Sequence, residues 1–335
     1  MIGRQVALRL LLAFPTLFGV ALIVFILLRV VPGDPIAMMA GVTATPEEIE
    51  RLRGLYGLDR PLLEQFWAYL GQLVQGDFGV SITRRLPVTE LIFERLPATI
   101  ELSLFAMALA VGLGIALAVA ATYWRGRAAE RMTDGFSAFG LAVPDFLWGL
   151  IFILILGVLI PVLPISGRVD PSLSFSSATG LYLIESFFRG QFDVFVSTLS
   201  RIVLPALSLA LPLAAIIARV LKSSLAEVMQ QDYILLARVK GFGRFRIVMR
   251  DALRNALVPT VALTAVQFTF LVGGTVLVER IFSFPGLGNM AIEAVVNRDL
   301  PLIQGVVITF ALIFIALNML IDLTYGLLNP RLRHG

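Results

Sequence analysis

Residues 237–259 read ARVKGFGRFRIVMRDALRNALVP, and between Arg238 and Arg254 they hold six Lys or Arg against one acid, Asp251. In a chain of 335 residues, 58% hydrophobic and only 15% charged, so dense a run of cations needs a cause. Two glycines, Gly241 and Gly243, interrupt it, and long apolar runs flank it on both sides.

Those runs decide the fold class. A helix needs about 20 apolar residues to cross hydrocarbon, and six runs qualify: 8–31, 99–122, 137–163, 199–221, 256–278 and 304–328. The composition leaves too little polar surface to cover an apolar interior in water. The pattern therefore predicts an all-α integral membrane protein with six transmembrane helices. The first run, LRLLLAFPTLFGVALIVFILLRVV, follows Arg4 and Arg9. Its apolar core is longer than that of a cleaved signal and no small-x-small site follows it, so it reads as a retained helix.

Two absences narrow the chemistry. The chain has no Cys, which excludes disulfides, thiolate nucleophiles and sulfur-ligated metals. Its one His is His334, beside the C-terminus, which excludes a His-dependent triad or a His-rich zinc site within the fold. Neither a metal nor a nucleic-acid partner is expected.

Charge sets the orientation. Positive charge accumulates in short cytoplasmic loops. One alternating set of segments contains Arg4 and Arg9, then Arg125, Arg127 and Arg131, then the 237–259 stretch, and finally Arg331 and Arg333. In the other set, residues 32–98, 164–198 and 279–303, acids match or outnumber bases. Both termini are therefore expected in the cytoplasm and residues 32–98 outside. That external stretch reads as a small helical cap. Thr45 suits an N-cap, Pro46 the first helical position, and Glu47 and Glu48 the positive end of the dipole. Pro61 opens a second amphipathic helix with Leu62, Leu63, Phe66, Leu70 and Leu73 near one face. No low-complexity segment or internal repeat is evident.

A positive-inside anchor accounts for the charge of 237–259, but not for its length, its glycines or its apolar periodicity. From Lys222 to Lys240, KSSLAEVMQQDYILLARVK has good helix formers, with apolar positions at Leu225, Val228, Met229, Leu235 and Leu236. Gly241 and Gly243 permit a sharp turn. Beyond them Arg246, Arg250 and Arg254 form one stripe of a second helix, with Ile247, Val248 and Leu253 away from it. The reading is a helix, a glycine turn and a basic amphipathic helix re-entering the membrane near Pro259, a hairpin that a partner can grip.

This segment resembles the EAA loop of ABC-importer permeases, in the form written for the dipeptide/oligopeptide/nickel branch. Ala237, Gly241 and Leu253 match the generic pattern, while ARVKG and ALRNALVP match the branch pattern. The strings VVPGDP, YGLDRPLLEQ, GDFGVSI, ISGR, ERIFSFPGLG, RDLPLIQG and DLTYGLLNPRLRH also resemble the B-type subunit of peptide permeases, in family order along nearly the whole chain. The resemblance implies a type I ABC-importer permease architecture. Residues 1–31 would be the N-terminal end and first helix, 32–98 the external region, 95–328 the ABC type-1 domain of five helices, and 329–335 a cytoplasmic tail. Within that domain, 222–255 would be the coupling loop, docking through Glu227, Asp232, Tyr233, Ala237, Arg238, Lys240, Gly241, Arg250 and Arg254. It also implies partners: a second homologous permease subunit, two ATP-binding cassette subunits, an external substrate-binding protein and the membrane lipid. The setting implied is a bacterial or archaeal plasma membrane, with peptides as substrate and nickel chelates or glutathione as alternatives.

A P-loop needs G-x-x-x-x-G-K-[ST]. The two lysines, Lys222 and Lys240, follow Leu221 and Val239, so neither fits. ATP and Mg are expected on partner subunits, with no cofactor in this chain, which is then not itself an enzyme. Two carboxylates support other readings. Asp145 and Asp322, in or near apolar runs, would suit a proton-coupled transporter, although Asp322 lies near the cytoplasmic interface and Asp145 follows the helix-breaking Pro144. An intramembrane aspartyl protease would need G-x-G-D and Y-D, and neither is present. Pro144, Pro205, Pro212 and the pair Gly273–Gly274 break or loosen helices, either along a water-filled path or at close helix packing. Asp145, Gly273 and Gly274 are thus the candidate residues of a translocation path.

Overall fold

The computed structural model describes residues 2–30, 45–55 and 59–328. Most of VVPGDP, the start of the external region at 32–44, the Tyr56–Leu58 portion of YGLDRPLLEQ and the 329–335 tail with His334 lie outside them. Among the described residues the chain is helical, with one isolated bridge between Val80 and Pro87 and no named strand. Four helices are long and apolar enough to cross a membrane: Val88–Tyr123 (α4), Phe192–Val228 (α8), the segment Arg244–Ile281 and Leu300–Ile321. A bent pair, Ala128–Ala142 (α5) with Asp145–Leu159, makes a fifth if counted as one span. The first apolar run falls on α1, Ile2–Val30.

The third run, expected as one crossing over 137–163, is broken. The helix Asp145–Phe152 (α6) leaves α5 at an angle of 104° and continues as a π-helical turn, Ile153–Leu159. Pro144 causes the break. Its ring crowds the preceding residue out of the helical region, and Val143 is extended, with φ −103° and ψ 121°.

The chain divides into two compact units, residues 97–288 and residues 1–96 with 289–335. In the first, α8 is the central element. Two thirds (67%) of its apolar window is buried, against 28% for each of the other three spans. Ile202, Leu204, Leu209, Leu213 and Ile217 of α8 pack with Leu102, Ala106 and Ala110 of α4 and with Phe282 and Phe284. Alanines at 206, 210 and 214 keep its surface low, which favours the close helix contacts that dispersion needs in lipid.

Buried polar contacts fix the loops of this unit. The Arg168 guanidinium, from ISGR, donates to Glu101 Oε2 at 2.5 Å and to the Gly180 carbonyl at 2.6 Å, and lies 4.1 Å from the Tyr182 ring centre. The Leu183 N–H donates to the other oxygen of Glu101 at 2.6 Å. In the helix Tyr182–Phe188 (α7), Glu185 accepts from Ala178 N–H, from the hydroxyls of Ser177 and Thr179, and pairs with Arg189. The hydrogen bonds from Ala178 and Ser177 hold its carboxyl far below the ordinary range, at about 2. The ERIFSFPGLG segment closes on Glu279, which is fully buried and accepts from Thr99 Oγ1 at 2.7 Å and Gly288 N–H at 2.8 Å. A Cβ at Gly286 would lie 2.3 Å from that carboxylate, so a larger residue there would have to displace the hydrogen-bonded Glu279 side chain.

The second unit is built the same way. Thr45 caps Pro46–Leu55 (α2) reciprocally with Glu48, each side chain accepting from the other's backbone N–H at 3.3 Å. On Leu62–Val74 (α3), Phe66 is the buried residue, with its ring against Phe18 and Phe25 of α1. Leu62 and Leu63, expected on the same face, are exposed, because the inward stripe runs through Phe66, Leu70 and Leu73. Asp299, from RDLPLIQG, accepts from Ser81 Oγ and Thr83 N–H and so holds the GDFGVSI loop.

Removing one member of a buried ion pair leaves the other uncompensated, at a cost of roughly 3–5 kcal/mol. Arg168→Met should therefore lower the unfolding midpoint of the purified protein in detergent. Replacing Glu101 by Met in the same chain should restore part of the loss.

Candidate functional site

The basic stretch folds as a hairpin at the end of α8. The helix expected from Lys222 to Lys240 is two helices. α8 ends at Val228, where the N–H groups of Gln230 and Gln231 turn back to the carbonyls of Glu227 and Val228. Gln231 is extended, with ψ 150°. The next helix, Asp232–Val239 (α9), starts with an acid and ends with a base, both at the favoured ends of its dipole.

Gly241 stops α9. Its φ is +80°, its N–H bonds to the Arg238 carbonyl at 2.9 Å, and the Phe242 N–H bonds to the Ala237 carbonyl at 3.1 Å. This pair of bonds is a Schellman motif, which requires a left-handed residue at this position. Gly243 is different: its φ of −64° and ψ of 148° suit any residue. The chain then re-enters helix through Arg244–Arg246 (α10), a π-helical turn Ile247–Ala252, and Leu253–Ile281 (α11).

The hairpin has two faces. Inward, Ile234 and Ala237 of α9 pack with Ile247, Ala252, Leu253 and Ala256, and with Leu221 and Leu225 of α8. Outward, Leu235 is 59% exposed, Leu236 53%, Val239 79% and Phe245 65%. Arg246, Arg250 and Arg254 are exposed and Ile247, Val248 and Leu253 buried, as the stripe predicted. The two arms are tied, because Asn255 Nδ2 donates to the Tyr233 hydroxyl at 2.7 Å.

The fold thus brings together Asp232, Tyr233, Ala237, Arg238, Lys240, Gly241, Arg250 and Arg254 on one hairpin, with Glu227 at the last turn of α8. Ala237 belongs to its interior and not to its outer face. Leu235 and Leu236, apolar positions of the same expected helix as Leu225, point outward, because the break at 229–231 turns α9 so that Ile234 points inward. The spacing of Ile234 and Ala237, three residues apart, is the signal for that. Of the candidate path residues, Asp145 and Gly274 meet: a Cβ on Gly274 would lie 2.8 Å from Asp145 Oδ2. Asp145 Oδ1 accepts from the Phe146 N–H at 2.7 Å, and Gly273 faces open space. Among the described residues, no group of three or more His, Cys, Asp or Glu is placed to hold a metal ion.

Residues 90–334 match the family described as binding-protein-dependent transport system inner membrane component, and residues 2–103 match the corresponding N-terminal family. The chain belongs to this family of membrane permease subunits of ABC importers. It is 38% identical over 330 residues to the dipeptide transport system permease protein DppB of Escherichia coli (strain K12), covering 97% of each chain. It is 39% identical over 331 residues to the di/tripeptide transport system permease protein DppB of Pseudomonas aeruginosa (strain UCBPP-PA14), covering 98% of each. Against the glutathione transport system permease protein GsiC of Escherichia coli (strain K12), identity is 35% over 326 residues, 97% of each chain.

The two glycines of GFG should behave differently. No heavy atom lies within 4 Å of a Cβ added at either, so only the backbone distinguishes them. Gly241→Ala forces a side chain into the left-handed region at about 1–2 kcal/mol, and Gly243→Ala carries no such strain. Amide hydrogen exchange at Phe242 should quicken in the first variant and stay unchanged in the second.

Proposed function

We propose that this chain forms half of the translocation pathway of an ATP-driven importer for di- or oligopeptides. It would cross the membrane six times, with both termini cytoplasmic, beside a second homologous permease subunit. Two ATP-binding cassette subunits would bind ATP and Mg, and an external binding protein would deliver the peptide. The observation that carries this reading is the two-faced hairpin, whose inner side is sealed by the core and whose outer side leaves Leu235, Leu236, Val239 and Phe245 uncovered. Apolar side chains exposed on a short, firmly capped helix suit a protein partner, and the family's transport systems supply one in the ATPase subunit. Closure of the ATPases would drag the hairpin, and a coupling free energy can pass only through an element whose position differs between the two states.

The peptide substrate is supported by the names of the dipeptide and di/tripeptide relatives. A glutathione substrate is the second reading, supported by the glutathione permease relative. Uptake of labelled dipeptide against labelled glutathione by cells expressing the whole transporter separates the two.

Topology has its own test. Single cysteines at Glu48 and at Arg244 should label from opposite sides of the membrane, and labelling from one side would break the six-crossing arrangement. Coupling is tested at Gly241. Gly241→Asp strains the left-handed position and puts an acid at the wrong end of the α9 dipole, while the membrane helices are untouched. The variant should insert normally and lose most uptake. Normal uptake would return the stretch to a plain positive-inside anchor.

A further inference from the structure

Between the hairpin and the body of its unit lies a cavity of about 560 Å³. Four cations line it, Arg125 from the turn between α4 and α5, Lys222 from α8, and Arg238 and Arg244 from the two sides of the Gly241 turn. One carboxylate, Glu130, lines it as well. Lys222 is already neutralised, with its ammonium 3.2 Å from Glu130 and 2.6 Å from Asp134. Among the described residues, the three guanidiniums have no carboxylate within ion-pair distance. Two of them are anchored to main-chain oxygens at the rim. Arg244 donates to the Thr122 carbonyl at 3.1 Å, and Arg238 to the Met229 carbonyl at 3.4 Å.

We infer that this cavity binds a phosphate-bearing anion, held by Arg125, Arg238 and Arg244, that ties the hairpin to the α4–α5 turn. Guanidinium groups present forked donors that match phosphate oxygens. Glu130 is near enough to Arg125 to feel its charge but already pairs with Lys222, so the three guanidiniums, none in an ion pair, suit an anion of more than one oxygen. The residues beside the site argue for headgroup depth. Tyr123 and Trp124, stacked edge to face at 5.0 Å, end the apolar span of α4 beside it, and Trp124 is exposed. Such aromatic residues mark the membrane–water interface, and basic pockets between helices at that level bind anionic headgroups. A free phosphate group would satisfy the same arginines without the lipid. Positive-inside charge alone does not predict the placement, since Arg127 and Arg131 carry the same sign and do not line the cavity.

The test uses the assembled transporter in bilayer discs of phosphatidylcholine containing a minor fraction of phosphatidylglycerol. After extraction into mild detergent, native mass spectrometry counts the phosphatidylglycerol retained. Wild type should retain it, and Arg125→Gln and Arg244→Gln should each reduce retention about fivefold, the effect of one surface arginine. Arg127→Gln, with the same change of net charge, should retain it as wild type does. If either cavity variant fails to assemble, Arg→Lys at that position keeps the charge and loses the fork, and should still weaken retention. Retention that survives excess inorganic phosphate assigns the site to a lipid. Loss of the lipid to inorganic phosphate, together with arginine-dependent phosphate binding, assigns it to a free anion. Equal retention in wild type and both cavity variants with no phosphate binding, or an equal drop in Arg127→Gln, would overturn the site.

Discussion

Hydrocarbon offers no partner to a peptide N–H or C=O, so each backbone polar group in the membrane must be satisfied within the protein. The long helices α4, α8 and α11 follow from that constraint. So does the care taken wherever a helix stops. At Gly241 the freed carbonyls of Ala237 and Arg238 receive the N–H groups of Phe242 and Gly241. At the end of α11, the Phe284 N–H returns to the Glu279 carbonyl at 2.8 Å, while the Glu279 side chain takes up the Gly288 N–H. The segment Arg244–Ile281 goes further and passes through a π-helical turn without losing continuity. Among the described residues these helix breaks are hydrogen-bonded, and the ARVKGFG and ERIFSFPGLG motifs coincide with two of them.

The hairpin combines two requirements that usually conflict. It holds its shape, and it leaves apolar side chains uncovered. Burial of Ile234, Ala237, Ile247 and Leu253 meets the first and leaves Leu235, Leu236 and Val239 free for the second. The arginines then have separate work. Arg246 stacks over the Phe242 ring at 3.8 Å, Arg244 reaches Thr122, and Arg250 and Arg254 face outward. A stretch that looks uniformly basic in sequence is resolved by the fold into several local roles.

Much of this was legible beforehand because the governing effects are local. Apolar run length located the helices, and the glycine at 241 marked its own left-handed turn. The cap of α2 could be read from Thr45 and Glu48, three residues apart. What stayed hidden depends on distant partners. Glu101 meets Arg168 across 67 residues and Glu279 meets Thr99 across 180, and neither acid carried a signal of burial in its neighbourhood. The break at 229–231 was missed because Met229, Gln230 and Gln231 are all acceptable in a helix. What defeats the helix there is the packing of Ile234 and Ala237 against α8, a tertiary demand.

α8 runs for 37 residues without a break at Pro205 or Pro212, which were expected to break or loosen it, from Phe192 beside the loop that Glu185 and Arg168 organise to Val228 at the foot of the hairpin. At about 1.5 Å per residue it is a strut of roughly 55 Å. A tilt of about 5° around its middle would carry each end roughly 2 Å, in opposite senses. Arg201 toward its Phe192 end is joined to Asp170 at 2.9 Å, and Leu221 and Leu225 toward its Val228 end are seated in the hairpin core. A rigid tilt of this helix would therefore reach the Asp170 loop and the hairpin core together. The geometry of a seesaw, with the tightly packed middle as its fulcrum, is built into a single helix.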